Sequence, residues 1–364
     1  MRLPTKDGSI DHEKATALLR HAIDNGVNYI DTAWTYHAEK SESFLGDALE
    51  DGYREKVRIA TKMPHWLVSS QQDMDKFLEL QLNRLRTDYI DYYLIHSLTE
   101  SGWKKIKENG VLEFLERTKR DGLIKNAGFS FHDNTDIFKE IVDSYDWDVC
   151  LIQYNYLDEN HQAGTKGLKY AAEKGIGVIV MEPLRGGNLA RNIPPDVEEI
   201  WDSSEVKRTP AGWSLRWIWN HPEVTVVLSG MNDISQVDEN IRTASEAHPE
   251  SLTESELKTV RKVAEKYRGL MTIPCTGCNY CMPCPTGVDI PGCFDLYNSS
   301  KIFGGANNSG AKHRYLLYQM GILGEKSSAS LCVDCGKCKE LCPQQINIPE
   351  NMKEVEAQFE QPMV

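Results

Sequence analysis

Short runs rich in β-branched and aromatic residues alternate with stretches of helical period from residue 1 to about residue 267, an order that predicts parallel strands joined by crossover helices. The runs cover residues 27–31, 57–62, 89–96, 124–130, 149–154, 176–181 and 224–229, and a helical pattern follows each. In the first helix Ala15, Leu18, Leu19, Ala22 and Ile23 share one face, Asp11 and Glu13 lie at its start, and Gly26 follows its end. Met74, Phe77, Leu78, Leu82 and Leu85 repeat the stripe further on.

Most strand ends recur about 30 residues apart, the step expected when eight βα units fill the ~250 residues of a (β/α)8 barrel. A doubly wound open sheet would give the same alternation. No strand, however, is followed by the glycine fingerprint of a dinucleotide-binding turn, which favours a closed α/β TIM barrel. The strand ends carry polar groups: Asp31, Lys62, His96 and Ser130, with Gln153 near another end. In a barrel these ends converge on the face where the chemistry of the fold is found. Any one of them alone is more often a structural hydrogen-bonder, and their joint placement is what marks a site.

The C-terminal stretch is of another kind. Eight of the ten cysteines fall in two runs, Cys275, Cys278, Cys281 and Cys284 before Pro285, then Cys332, Cys335, Cys338 and Cys342 before Pro343. The second run has the spacing that wraps a cubane iron–sulfur cluster in bacterial ferredoxins. Two [4Fe–4S] clusters are therefore expected, with paired zinc sites as the competing reading. Under the ferredoxin pattern Cys275, Cys278 and Cys281 pair with Cys342, and Cys332, Cys335 and Cys338 pair with Cys284. The first run is one residue shorter before its last cysteine, which tightens the loop at Cys284. Cys150 reads as a buried small side chain, and Cys293 stands outside the pattern.

Length and charge set the frame. A chain of 364 residues holds a large core plus a small appendage, here a barrel over 1–268 and a small α-helical ferredoxin-like domain over 269–364. No apolar run reaches the ~20 residues of a membrane span. A net charge of −13 repels phosphate backbones, so neither nucleic acid nor membrane is an expected partner. No export segment opens the chain, and clustered cysteines suit the reducing cytoplasm.

Asp31-Thr32-Ala33 with Tyr36, Lys62 after Ile59-Ala60-Thr61, and His96 after Tyr93-Leu94-Ile95 together resemble the catalytic signature of the aldo-keto reductases. The likeness covers nearly all of residues 1–267, and the cysteine-rich tail resembles the subgroup of that family ending in a ferredoxin-like dicluster domain. It implies reduction of a small carbonyl substrate, an aldehyde, ketone or sugar-like compound, by hydride from NAD or NADP in reduced form. Carbonyl reduction also needs a proton, and free tyrosine is a poor acid near neutral pH. Tyr36 is the implied donor, Lys62 the ammonium that lowers its pKa, Asp31 the carboxylate that fixes Lys62, and His96 a hydrogen-bond donor to the substrate oxygen.

For the nucleotide the resemblance implies Ser130 and Gln153 at the carboxamide, although Phe131 replaces the family's usual asparagine. Met181 stands where a stacking tyrosine is usual, with Pro183 and Leu184 beside it. Gly230 and Gln236 replace the family's phosphate-binding cations, which points toward NADH, while Glu239 and Asn240 remain as adenine contacts. Trp34 and Trp66 either line the substrate pocket or pack, and His37 and His65 have no assigned role. The opening Met1-Arg2-Leu3-Pro4 resembles the end of the family's first barrel strand, so that strand and the hairpin before it are expected to be missing and seven strands to remain. The clusters would exchange electrons with a redox partner protein or with the barrel's substrate, or would staple the small domain. A redox-sensing subunit that binds nicotinamide without turnover is the alternative to an enzyme.

Overall fold

The computed structural model describes residues 1–191, 193–275, 277, 280–303, 309–342 and 344–361. It separates into two compact units, one formed by residues 1–155, 162–184 and 212–252, the other by 156–161, 185–211 and 253–364.

The first unit opens with a two-stranded antiparallel hairpin, β1 (Thr5–Lys6) and β2 (Ser9–Ile10). Its main element is a sheet of seven described strands: β3 (Tyr29–Asp31), β4 (Arg58–Met63), β5 (Ile90–Leu98), β6 (Ile124–Phe131), β7 (Val149–Gln153), β8 (Gly177–Met181) and β9 (Val224–Val227). Their spatial order is their chain order, and every neighbouring pair is parallel. That topology needs a crossover after each strand, and helices supply it. Among the described residues no ladder joins β9 to β3, so the barrel is a partial one of seven strands. All seven sequence-predicted runs are strands, with ends displaced by no more than two residues.

The strands are apolar almost throughout, β5 and β6 being buried along most of their length, as parallel strands covered on both faces must be. Leu94, Val149, Leu151 and Ile179 form one interior cluster, with Tyr29, Tyr92 and Met181 packed on it. The helix His12–Asp24 buries the five residues of the predicted stripe, and its first turn is closed by the Asp11 carboxylate accepting from the Lys14 N–H at 3.2 Å. In the helix Gln71–Leu85 the buried face is Met74, Leu78, Gln81 and Leu85, while Phe77 and Leu82 are half-buried. A glutamine thus occupies a core position.

The second unit is helical: Pro195–Asp202, Glu254–Gly269, Ile290–Ile302, Ser309–Arg314, Lys337–Leu341 and Ile348–Phe359 are its principal α-helices. The α-helix Ser309–Arg314 runs into a π-helical turn, Tyr315–Gln319. Tyr315 stacks on Phe359 with ring centroids 4.6 Å apart and donates to Glu360 at 2.6 Å. The core contains Val288, Ile290, Phe294, Tyr297, Ile348, Met352 and Val355, and six of the cluster cysteines pack on its rim. Arg185 is buried in this unit, donating to Asp158 at 2.9 Å, to Ser299 at 2.7 Å and to Asp295.

One contact tests the packing that supports β4. Gly46, on the helix Ser41–Ala48, lies so close to the end of Gln71–Leu85 that a Cβ would stand 2.4 Å from the Arg84 carbonyl oxygen. Gly46→Ala should lower stability by about 1–3 kcal/mol in urea unfolding, because backbone must shift to admit a methyl group. An unchanged midpoint would rule out this close approach.

Candidate functional site

Strand register brings the polar ends together. Asp31 closes β3 opposite Ala60 of β4, Lys62 of β4 pairs with Leu94 of β5, and His96 follows Ile95, the partner of Met63. Parallel strands in consecutive order place these ends on one rim.

Lys62 is the centre of the site, with 1 % of its surface exposed. Its Nζ donates to both Asp31 oxygens at 2.8 Å and to the Thr32 carbonyl at 2.7 Å, and it lies 3.4 Å from the Tyr36 hydroxyl. Burial lowers the Lys62 pKa from its ordinary value, opposed by the charge of Asp31 and its hydrogen bonds. Tyr36 is held well above the usual phenol value, first by burial and then by the negative charges of Asp31 and Glu182. This differs from the expectation that Lys62 would lower it: burial dominates, and the charges of Asp31 and Glu182 act in the same direction. His96 is kept neutral, since burial drives its pKa well below the imidazole range and Lys62 adds to the effect. Its ring stands edge-on to Tyr36 with centroids 6.0 Å apart.

Trp66 and Trp34 separate in the structure. Trp66 lies against His96 with ring centroids 5.3 Å apart and is half-buried, so it borders the site. Trp34 is buried under the Arg84 guanidinium, 3.6 Å from its ring centroid, and edge-on to Phe77, so it packs. His37 accepts from the Leu3 N–H at 3.2 Å. His65 is buried, and burial lowers its pKa to about 4.

The residues expected to meet a nucleotide lie at the ends of β6 to β9 or just beyond. Ser130 is buried, and its Oγ accepts the Ser97 N–H at 2.6 Å, which leaves the hydroxyl hydrogen to be directed elsewhere. Ser97 itself has φ 58°, a left-handed conformation, in the residue after His96. Gln153 ends β7 and Met181 ends β8, opposite each other in register, with Pro183 and Leu184 following. Asn240 donates to Ser229 at 3.0 Å, and Gln236 accepts from the Asn232 N–H at 3.1 Å. Glu239 lies one residue before Asn240 on the helix Ile234–Glu246. The Arg2 stem fills the space beside Gly230, where a Cβ would lie 2.8 Å from its Cγ and Cδ, a neighbour that sequence reasoning missed.

It also missed the polar set behind Lys62. Glu42, Thr61, Gln81 and Tyr93 are buried and bonded to one another, and their signal was Gln81 standing at the stripe's own spacing between Leu78 and Leu85.

In the second unit Cys284, Cys332, Cys335, Cys338 and Cys342 form no disulfide. Cys284, Cys332, Cys335 and Cys338 line one small cavity whose remaining wall is mostly apolar, including Val288, Ile290, Val333 and Met352. Among the described residues no three His, Cys, Asp or Glu side chains converge as ligands of a single ion would. Soft thiols around a shared void in an apolar shell fit a polynuclear iron–sulfur group. Burial raises the Cys338 thiol, and Cys332, Cys284 and Cys335 raise it further. For Cys284, burial is outweighed by hydrogen bonds from the Thr286 hydroxyl and from backbone N–H groups of 286–288, so its thiol is lowered. Cys275, Cys281 and Cys342 lie on the same hydrophobic core, and Cys278 lies outside the described residues.

Comparison with known proteins bears on the fold and the family. The Bacillus subtilis oxidoreductase YqkF is 26% identical over 282 residues, covering 69% of this chain and 88% of its own length. L-galactose dehydrogenase of Arabidopsis thaliana is 26% identical over 284 residues, covering 72% and 88%. Among solved structures, the holo form of an aldo-keto reductase from Bacillus halodurans superposes with a TM-score of 0.60 at 27% identity, covering 70% of this chain and 88% of that one. An aldo-keto reductase from Klebsiella pneumoniae in complex with NADPH gives 0.59 at 23% identity, covering 72% and 90%, a likeness of fold. The 4Fe-4S dicluster domain model matches residues 274–346. The Aldo/keto reductase family model matches residues 1–265, and the chain belongs to that family of oxidoreductases.

Proposed function

We propose that this protein reduces a small carbonyl compound, an aldehyde, ketone or sugar-like substrate, by hydride transfer from a nicotinamide nucleotide, with Tyr36 as the proton donor. The observation that carries the reading is a single buried ammonium, Lys62, shared among Asp31, Thr32 and Tyr36 beside a neutral His96.

When bound, the nucleotide supplies the hydride. Ser130 and Gln153 would hold its carboxamide, Met181 would cover the ring, and Pro183, Leu184, Gly230, Gln236, Glu239 and Asn240 would follow the rest of the molecule. The protein's own residues do the acid chemistry. His96, neutral, donates a hydrogen bond to the carbonyl oxygen as negative charge builds there. Tyr36, which burial keeps protonated, passes its proton to that oxygen. The phenolate left behind lies 3.4 Å from Lys62 Nζ, and that attraction favours the transfer. Asp31 keeps the ammonium charged and in place. Lys62 therefore acts after the proton leaves more than before it.

Two [4Fe–4S] clusters complete the proposal, one on Cys284, Cys332, Cys335 and Cys338, the other on Cys275, Cys278, Cys281 and Cys342. The shared cavity of the first four supports the crossed assignment. Such centres pass single electrons, which suits exchange with a redox partner protein, and their thiolates suit a reducing cytoplasm.

Tyr36→Phe should lower kcat for aldehyde reduction by roughly a hundredfold or more while the nucleotide still binds. Equal turnover by the two proteins would sink the catalytic reading and favour a sensor. Initial rates should be higher with NADH, because Gly230 and Gln236 bring no cation. A preference for NADPH would overturn this. In anaerobically prepared protein, Cys284→Ser and Cys338→Ser should each remove the same EPR signal and about half the iron, and Cys342→Ser the other signal. Loss of different signals from the first two variants would refute the pairing.

A further inference from the structure

Behind Lys62, on the side of β4 away from Asp31, lies a buried polar network that the reaction as described leaves unused. Glu42 has no exposed surface although it carries a carboxylate. Its Oε1 accepts from the Thr61 hydroxyl and from Gln81 Nε2, each at 2.6 Å, and its Oε2 accepts from Arg84 Nη1 at 3.2 Å. Gln81 Nε2 also donates to the Lys62 carbonyl at 3.0 Å, and Gln81 Oε1 accepts from the Tyr93 hydroxyl at 2.8 Å. Ser41, the neighbour of Glu42, accepts from the Thr32 hydroxyl at 2.8 Å, while the Thr32 carbonyl accepts from Lys62 Nζ at 2.7 Å. Lys62 is therefore gripped at both ends, its carbonyl through Gln81 and its ammonium through Asp31 and Thr32.

A carboxylate is an expensive group to place here. Buried charge must be paired and hydrogen-bonded, and well-packed apolar residues of similar volume often serve stability as well. Arg84 balances Glu42 from the outer side only and is partly exposed. The inward side of the network faces Thr61 and Lys62.

We propose that Glu42 and Gln81 are positioning residues for Lys62: Gln81 fixes its backbone in register with Tyr36, and Glu42 holds Gln81 while adding a second negative charge behind the strand. This rests on the reading of Asp31, Tyr36, Lys62 and His96 as the reacting set. Its electrostatic part has a definite sign. The charged and titratable groups facing Lys62 are Asp31 and Tyr36 from β3 and its loop, Glu42 from the helix Ser41–Ala48, and His96 from β5. Glu182 faces Tyr36, Arg84 and Tyr93 face the network, and the Met1 amine, lowered to about 5 by burial, is uncharged above neutral pH. Asp31 and Glu42 favour the protonated Lys62, and negative charge at this site also favours the protonated phenol. Removing the Glu42 charge lets the Lys62 proton leave at lower pH.

The test is Glu42→Gln, which keeps size and an acceptor for Thr61, assayed for kcat and KM against pH with glyceraldehyde and NADH or NADPH, beside Glu42→Asp and Gln81→Met. With Glu42→Gln the alkaline limb of kcat should move down by about half to one pH unit, so that activity near pH 9 falls ~3- to 10-fold with KM unchanged. Glu42→Asp should restore part of the limb. Gln81→Met should lower kcat roughly 10-fold across the range, and it carries the test should Glu42→Gln fail to fold. If the folded variants keep the parent pH profile and kcat and lose only thermal stability, the network is structural and the proposal fails. Tyr36→Phe separates the two failures: full activity there removes the reacting set itself, whereas lost activity there with an unaltered Glu42→Gln profile removes this inference alone.

Discussion

A primary ammonium taken out of water must recover its hydration from fixed partners or give up its proton, and Lys62 is placed where only the first outcome serves chemistry. Two carboxylate oxygens and a backbone carbonyl, all within 2.8 Å, take the place of water. That arrangement requires β3 and β4 to lie in a fixed parallel register. It requires the turn after Asp31 to aim the Thr32 carbonyl inward, and it fixes how closely Tyr36 approaches. The phenol's burial, the imidazole's neutrality and the buried acid behind the strand all take their meaning from that one cation. Burial holds the phenol protonated, and the carboxylate that keeps the ammonium charged adds to this, so the resting site keeps its donor loaded.

Much of the first unit was legible because its strands are apolar runs with polar last residues, a pattern that survives without knowledge of neighbours. Asp31, Lys62 and His96 stood out as ends of such runs, and their meeting on one rim follows from consecutive parallel pairing. The register that sets Lys62 within reach of Tyr36 was beyond a reading of periodicity, since a slip of one residue keeps the composition and reverses the faces. The network of Glu42, Thr61, Gln81 and Tyr93 was hidden for another reason. Each member is polar in an apolar stripe and looks like a local exception until the four are seen to satisfy one another. Trp34 and Trp66 were indistinguishable by type, and only the guanidinium over one and the imidazole beside the other separates packing from the site.

The cysteine pattern was the most readable part of the second unit, because ligand spacing is a local property of the chain. What spacing leaves open is which distant thiol completes a set, and the cavity shared by Cys284 with Cys332, Cys335 and Cys338 bears on that point. The helical frame around it was less visible. Tyr315 sits in a π-helical turn and joins Phe359, Glu360 and Ala329, partners that lie far from it in sequence.

Arg185 gives the second unit a further property. This residue directly follows the Pro183-Leu184 segment leaving β8, and its buried guanidinium is neutralised by Asp158 from one side and by Asp295, with the Ser299 hydroxyl, from the helix Ile290–Ile302. Cutting the chain before the first cysteine run would remove Asp295 and Ser299, and with them two hydrogen bonds to that buried cation. The cysteine-bearing tail thus shares one compact unit with residues 156–161 and 185–211, and the charge of Arg185 is balanced inside that unit.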